Sequence, residues 1–125
     1  MGTQAHTTLV NGILARLTVR KGLTLWKLPT GVGRSLYGGR VLKFGIRGGT
    51  DIIGIAAPSG TWISIEAKIR YAHSRDTLRP AQRTFRDIII EHGGIHIVAY
   101  TVDEAEQELD RELDRKRDGG YKLRA

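Results

Sequence analysis

The stretch from Thr50 to Lys68 constrains this chain more than any other. Two isoleucine-rich runs, Asp51-Ile52-Ile53-Gly54-Ile55 and Trp62-Ile63-Ser64-Ile65-Glu66, flank the turn cluster Pro58-Ser59-Gly60. β-branched runs on either side of such a cluster dictate a β-hairpin. Antiparallel partners sum to a constant set by the turn, so residue 51 falls opposite residue 66 or 67. Glu66 and Lys68 are two positions apart and share a strand face. Asp51, Glu66 and Lys68 are therefore expected on one patch at the open end of the hairpin.

Two carboxylates held this closely repel, and a divalent cation makes both ionised forms stable together. A few hard oxygen ligands suit Mg²⁺ or Mn²⁺, which keep several waters and share phosphate oxygens with a substrate. A lysine on the same face can hold an attacking water or stabilise developing charge. The pattern outlines a phosphodiester-hydrolysing site. Glu-x-Lys alone is also a common pattern on solvated strands, so the surrounding chain has to bear on the choice.

The length of 125 residues allows one domain, residues 1–125, with a single core. The formal charge of +7 is uneven: residues 1–100 hold 14 Lys and Arg against 5 acids, and the last 25 hold 6 against 8. A basic body points to a polyanionic partner, nucleic acid before membrane, because no basic amphipathic helix is evident. Cysteine is absent, which excludes disulfides and zinc-thiolate sites. No signal-peptide pattern, myristoylation pattern or apolar span is present, and the expectation is a soluble protein of the cytoplasm with no membrane partner.

Along the chain, Thr7 or Thr8 is expected to cap a first helix with Leu9, Val10, Ile13, Leu14 and Leu17 on its core face, ending at Lys21-Gly22. Leu23 to Leu28 is read as a strand and Pro29 to Arg34 as a loop, which lacks the Lys-Ser/Thr of a nucleotide P-loop. Residues 36–50 carry glycines among Arg40, Lys43 and Arg47 and are expected to form an irregular strand feeding the hairpin. Ile69 to Thr77, with Arg70, His73 and Arg75, reads as a loop touching DNA. A second helix opens at Leu78-Arg79-Pro80-Ala81-Gln82, with Pro80 first, a buried stripe of Phe85, Ile88 and Ile89, and a stop at Gly93-Gly94.

Gln82 lies in the first turn of that helix, where it either orients water or phosphate or is an ordinary solvated residue. Ile95 to Thr101 is apolar enough for a central strand. The third helix starts at Val102 or Asp103, with acids in its first turn, Arg115, Lys116 and Arg117 in its last, and Ala105, Leu109 and Leu113 docking. The order α-β-β-β-β-α-β-α gives an α/β fold, a mixed β-sheet flanked by helices. His6, His73, His92 and His96 show no metal-ligand spacing; His92 and His96 are expected to be structural. Arg34, Arg40, Lys43, Arg47, Arg70, Arg75, Arg79 and Arg83 are the candidate DNA-binding cations.

Gly49-Thr50-Asp51, Ile65-Glu66-Ala67-Lys68 and Leu78-Arg79-Pro80-Ala81-Gln82 together resemble the virus-type replication-repair nuclease (VRR-NUC) family of the PD-(D/E)xK nuclease superfamily. The likeness runs over nearly the whole chain. It implies a restriction-endonuclease-like core in which Asp51, Glu66 and the Ala67 backbone carbonyl bind Mg²⁺ or Mn²⁺, Lys68 positions or activates the nucleophilic water, and Gln82 completes a catalytic set of Asp51, Glu66, Lys68 and Gln82. It further implies a homodimeric endonuclease acting on branched DNA such as four-way junctions, with one active site per strand.

Two departures stand out. Thr50 replaces the motif's proline, which is expected to loosen the start of the strand. The region matching the family's first-helix acid, His6-Thr7-Thr8, has no acid, which leaves that coordination position to His6 or a water. The alternative reading is a non-catalytic nucleic-acid-binding module that keeps the fold.

Overall fold

Isoleucines spaced two apart build a four-stranded sheet whose inner face is closed by two helices. The computed structural model describes residues 2–28, 31–34, 41–44, 49–71, 74–75 and 78–124. Helix α1 (Gly2–Leu17) leads to strands β1 (Leu23–Lys27), β2 (Gly31–Arg34), β3 (Val41–Phe44), β4 (Ile52–Ala56), β5 (Thr61–Ala67), β6 (Arg70–Tyr71) and β7 (Ser74–Arg75). Helix α2 (Pro80–Glu91), strand β8 (Ile95–Ala99) and helix α3 (Val102–Arg124) complete the chain. The main sheet has the order β1-β4-β5-β8, while β2-β3 and β6-β7 form separate two-stranded ribbons.

The hairpin forms as expected. Ile52 pairs with Ile65 and Ala56 with Thr61, and the same register carried one residue outward sets Asp51 against Glu66. The turn closes through a hydrogen bond from the Gly60 N–H to the Ala56 carbonyl, 2.9 Å, with Gly60 at φ 71°. β1 approaches the other edge of β4 so closely that a Cβ at Gly54 would lie 2.3 Å from the Thr24 carbonyl oxygen. Glycine is required there by the neighbouring backbone.

One sheet face carries Leu25, Ile52, Ala56, Ile63, Ile65, Ala67, Ile95, Ile97 and Ala99, all buried with Val10, Ile13 and Leu17 of α1 and Ala105 and Leu109 of α3. Ion pairs of Arg16 in α1 with Asp103 and Glu106, and of Arg20 in the turn after it with Asp110 and Glu106, tie this segment to α3. The opposite face holds Trp26, Ile55, Trp62, Ser64, Glu66 and His96. Among the described elements α2 packs on it over β5 and β8, while Trp26, Ile55 and Trp62 stay exposed.

Several sequence expectations are corrected. α1 begins at Gly2, not at Thr7 or Thr8, because nothing between Gly2 and Thr8 breaks a helix and Thr7 and Thr8 are exposed within it. Gly31 to Arg34 is a strand, not a loop, and β3 pairs with it instead of feeding the hairpin. Ile69 to Thr77 includes the short β6-β7 pair. These changes extend the expected element order from five strands to eight.

β8 is an edge strand parallel to β5, not a central one. Its apolar character follows from helices on both faces, α3 on one and α2 on the other. Ile88 is 48% exposed instead of buried, and no α2 side chain is fully buried. α3 runs on to Arg124, so Arg115, Lys116 and Arg117 lie within it and not in its last turn. The observed fold is a mixed α/β arrangement with a four-stranded mixed sheet and three helices.

Candidate active site

The end of the sheet where β4 starts and β5 stops gathers polar side chains from four segments. Asp51 precedes β4, Glu66 and Ala67 end β5, Lys68 follows, and Gln82 stands in the first turn of α2. Pro80 at the start of α2 fixes that turn without wasting a backbone donor. Glu66 is 4% exposed and Lys68 5%, so neither is a solvated strand residue. That burial decides against the ordinary reading of a Glu-x-Lys pair, since buried charges need partners.

The partners form one connected network. Asp51 Oδ2 accepts the Ala67 N–H at 2.8 Å, which locks the carboxylate to the end of the neighbouring strand. Gln82 Nε2 donates to Glu66 Oε1 at 2.9 Å, and Gln82 Oε1 accepts from Lys68 Nζ at 3.1 Å and from the Arg79 N–H at 2.8 Å. A carboxylate on one side and two donors on the other dictate the amide's orientation. Lys68 Nζ lies 3.9 Å from Glu66 Oε1. The second carboxylate oxygen, Glu66 Oε2, is buried with no hydrogen-bond partner.

Burial, and after it the negative charge of Asp51, push the Glu66 carboxyl up from 4.5 to about 8, against the opposing charges of Lys68 and Arg79 and the pull of the Asp51 backbone N–H. The site therefore holds its second negative charge only at a cost, which a cation would offset. Among the described residues no three His, Cys, Asp or Glu side chains converge as a ready-made metal cage. The two carboxylates at this end of the sheet are those of Asp51 and Glu66.

All four residues of the expected catalytic set thus meet, and Gln82 is a bridge between Glu66 and Lys68 instead of a solvated helix residue. Thr50, before β4, is 2% exposed and its Oγ1 donates to the Ile52 carbonyl at 3.1 Å. His6 of α1 reaches the site, with Nε2 3.2 Å from Asp51 Oδ1, a contact no local spacing announces.

The expected cations divide. Arg79 and Arg83 are exposed at the start of α2, and Arg83 Nη1 donates to the Leu78 carbonyl at 2.7 Å. Arg70 and Arg75 are register partners across the β6-β7 ribbon just beyond Lys68, and Arg34 and Lys43 lie on β2 and β3. Arg40 and Arg47 lie outside the described residues, as does His73.

Burial, then the charge of Arg86, lowers His96 from 6.5 to about 4. His92 Nδ1 contacts the Ile88 carbonyl at the end of α2, 2.8 Å away. No described helix is long and apolar enough to cross a membrane. No protein-family model matches the chain, and no curated protein matches its sequence significantly.

Proposed function

We propose that this chain is a metal-dependent, structure-selective DNA endonuclease with a restriction-endonuclease-like core, related to the VRR-NUC nucleases. In this reading it hydrolyses phosphodiester bonds in branched DNA such as four-way junctions and works as a homodimer in the cytoplasm. The observation that carries the catalytic part is a buried carboxylate oxygen without a partner, set beside a second carboxylate and a buried lysine. The branched substrate and the dimer rest on the sequence resemblance.

The donors fit Mg²⁺ or Mn²⁺: Asp51, Glu66 and the Ala67 carbonyl supply few, hard oxygens and leave room for water and phosphate. Such an ion, when bound, polarises a phosphoryl oxygen and makes its water more acidic. The chain's own residues do the rest. Lys68 holds the attacking water and offsets negative charge at the phosphate. Gln82 keeps the Lys68 and Glu66 side chains in fixed relation, so neither has to reorganise during attack. Exposed Arg79 and Arg83 flank this network and offer contacts to the DNA backbone.

Labelled four-way junction, flap, duplex and RNA substrates incubated with Mg²⁺ or Mn²⁺ test the reading. Junction cleavage that falls about a hundredfold or more in Asp51→Ala and Lys68→Ala is expected. If the intact protein cuts none of them, or both variants cut as well as it does, the reading is wrong. The absence of a three-side-chain cage among the described residues favours one rival, a non-catalytic nucleic-acid-binding module. That rival binds DNA with steep salt dependence, yields no product with any ion, and binds equally well as Asp51→Ala.

A further inference from the structure

The open face of the sheet carries an aromatic side chain that no step above uses. Trp26, on the edge strand β1, is 51% exposed and pairs in register with Ile53, two residues along β4 from Asp51. Side chains at 51, 53 and 55 share the face that holds Glu66. With strands about 4.8 Å apart and a two-residue step of about 6.8 Å, the Trp26 and Asp51 backbones lie about 8 Å apart. That is roughly the rise of two to three stacked nucleotides in one DNA strand. Trp62 is a step further from the carboxylates, and its Nε1 donates along its own strand to the buried Ser64 Oγ at 2.7 Å.

A base laid on an exposed indole is a sequence-tolerant contact, because every base has a π face. A linear duplex hides those faces in its own stack, whereas a branch point leaves some of them open. The surroundings of Trp26 suit a nucleic acid: Lys27 next to it is exposed, exposed Arg79 and Arg83 border the same end of the sheet, and among the described strands this face adds no acid to Asp51 and Glu66. The surface is continuous with the two carboxylates, so one DNA strand can reach both. Resting on the DNA-cleaving reading of the site, we propose that Trp26 selects branched over linear DNA by stacking on a base left open at the branch, a few nucleotides from the phosphate to be cut.

The chain has two tryptophans, so Trp62→Phe leaves Trp26 as the sole indole emitter. In chelator, where nothing is cut, this variant is titrated with single-stranded oligothymidylate, a four-way junction and a linear duplex of matched length. The single strand and the junction are expected to quench Trp26 emission, and the duplex to leave it nearly unchanged. In the otherwise unaltered chain, Trp26→Leu keeps apolar bulk without a π face. It should weaken junction binding about tenfold and leave duplex binding as it was, and Trp26→Phe should restore most of the loss.

Junction binding by Trp26→Leu equal to that of the wild type, an equal loss on the duplex, or quenching by the duplex as deep as by the junction overturns the role of Trp26 and leaves the endonuclease reading intact. A Trp26→Leu chain that falls from dimer to monomer in sedimentation puts the side chain in a contact between copies and overturns it too. Failure of the protein to bind any of the DNAs overturns both. Unchanged circular dichroism of the Trp26 variants excludes unfolding as the source of any loss.

Discussion

Glu66 should leave a mark on stability that can be measured without substrate or metal. Its carboxyl is raised from 4.5 to about 8, first by burial and then by Asp51. Between about pH 4.5 and about pH 8 the native chain therefore keeps a proton that the unfolded chain releases. The sign follows: this stability is fully present below the unfolded value and is lost as pH rises through the folded one. Each pH unit inside the window removes about 1.4 kcal/mol, and the whole window on the order of 5 kcal/mol. That is a large part of the roughly 5–15 kcal/mol that holds a domain folded.

His96 acts in the opposite sense, because its lowered value makes the native state bind fewer protons than the unfolded one as pH falls from 6.5 to about 4. The two slopes oppose each other in mildly acidic solution, so the raw pH profile of the protein conceals both. Glu66→Gln isolates the carboxylate, since it keeps the shape and cannot ionise, and every other titration cancels in the comparison.

The measurement is urea unfolding of the chelator-treated protein and the variant at steps between about pH 5 and about pH 8.5. The wild-type free energy minus that of Glu66→Gln should fall by about 1.4 kcal/mol per unit until it levels near pH 8. In the metal-dependent reading, added Mn²⁺ should reverse the trend in the wild type by favouring the ionised form. A difference that stays flat across the range would refute the claim that burial and Asp51 outweigh the partners of Glu66.

Three further outcomes test the frame around the site. His96→Gln should flatten the acid limb of the stability profile, removing roughly 2 kcal/mol of loss between about pH 6.5 and about pH 4, a figure reduced for the ring's partial exposure; an unchanged limb in urea unfolding would show the ring to be solvated. Gly54→Ala places a Cβ 2.3 Å from the Thr24 carbonyl oxygen and should cost roughly 2–3 kcal/mol in thermal unfolding, whereas a neutral result would mean that β1 and β4 are not so close. Leu109→Ala, at a position 0% exposed, should cost about 2–5 kcal/mol, against less than about 1 kcal/mol for Ile88→Ala on the open side of α2.

What the chain disclosed by itself follows the range of the forces involved. The hairpin was legible because a proline-glycine turn between β-branched runs fixes register, and register alone puts Asp51 against Glu66. Gln82 was legible as a first-turn residue because Pro80 marks the helix start, but its bridging role depends on how α2 lies over β5, which no local pattern encodes. The contact of His6 with Asp51 joins residues far apart in sequence through the packing of α1, so spacing rules for metal ligands miss it. The pairing of β2 with β3 was missed because a glycine-rich stretch carries little period-two signal. The sequence of β8 reads as that of a central strand because burial by helices on both faces leaves the same apolar signature as burial between strands.

The attachment of α2 ties the site to the fold. An amphipathic helix normally docks through a buried apolar stripe, yet α2 has no fully buried residue, and Phe85 and Ile89 are only half-covered. Its first turn is held instead by Gln82, which contacts Glu66 and Lys68 of the sheet while accepting the Arg79 N–H of its own helix start. Because apolar burial at this end is small, those hydrogen bonds carry an unusual share of the docking. A cation that draws the Glu66 carboxylate toward Asp51 would therefore strain or break the Gln82 bridge and change how Arg79 and Arg83 sit over the sheet end. In the metal-dependent reading, ion binding and the placement of the flanking cations would be one equilibrium, with the polar contacts that hold α2 against the sheet setting the energy required to rearrange the site.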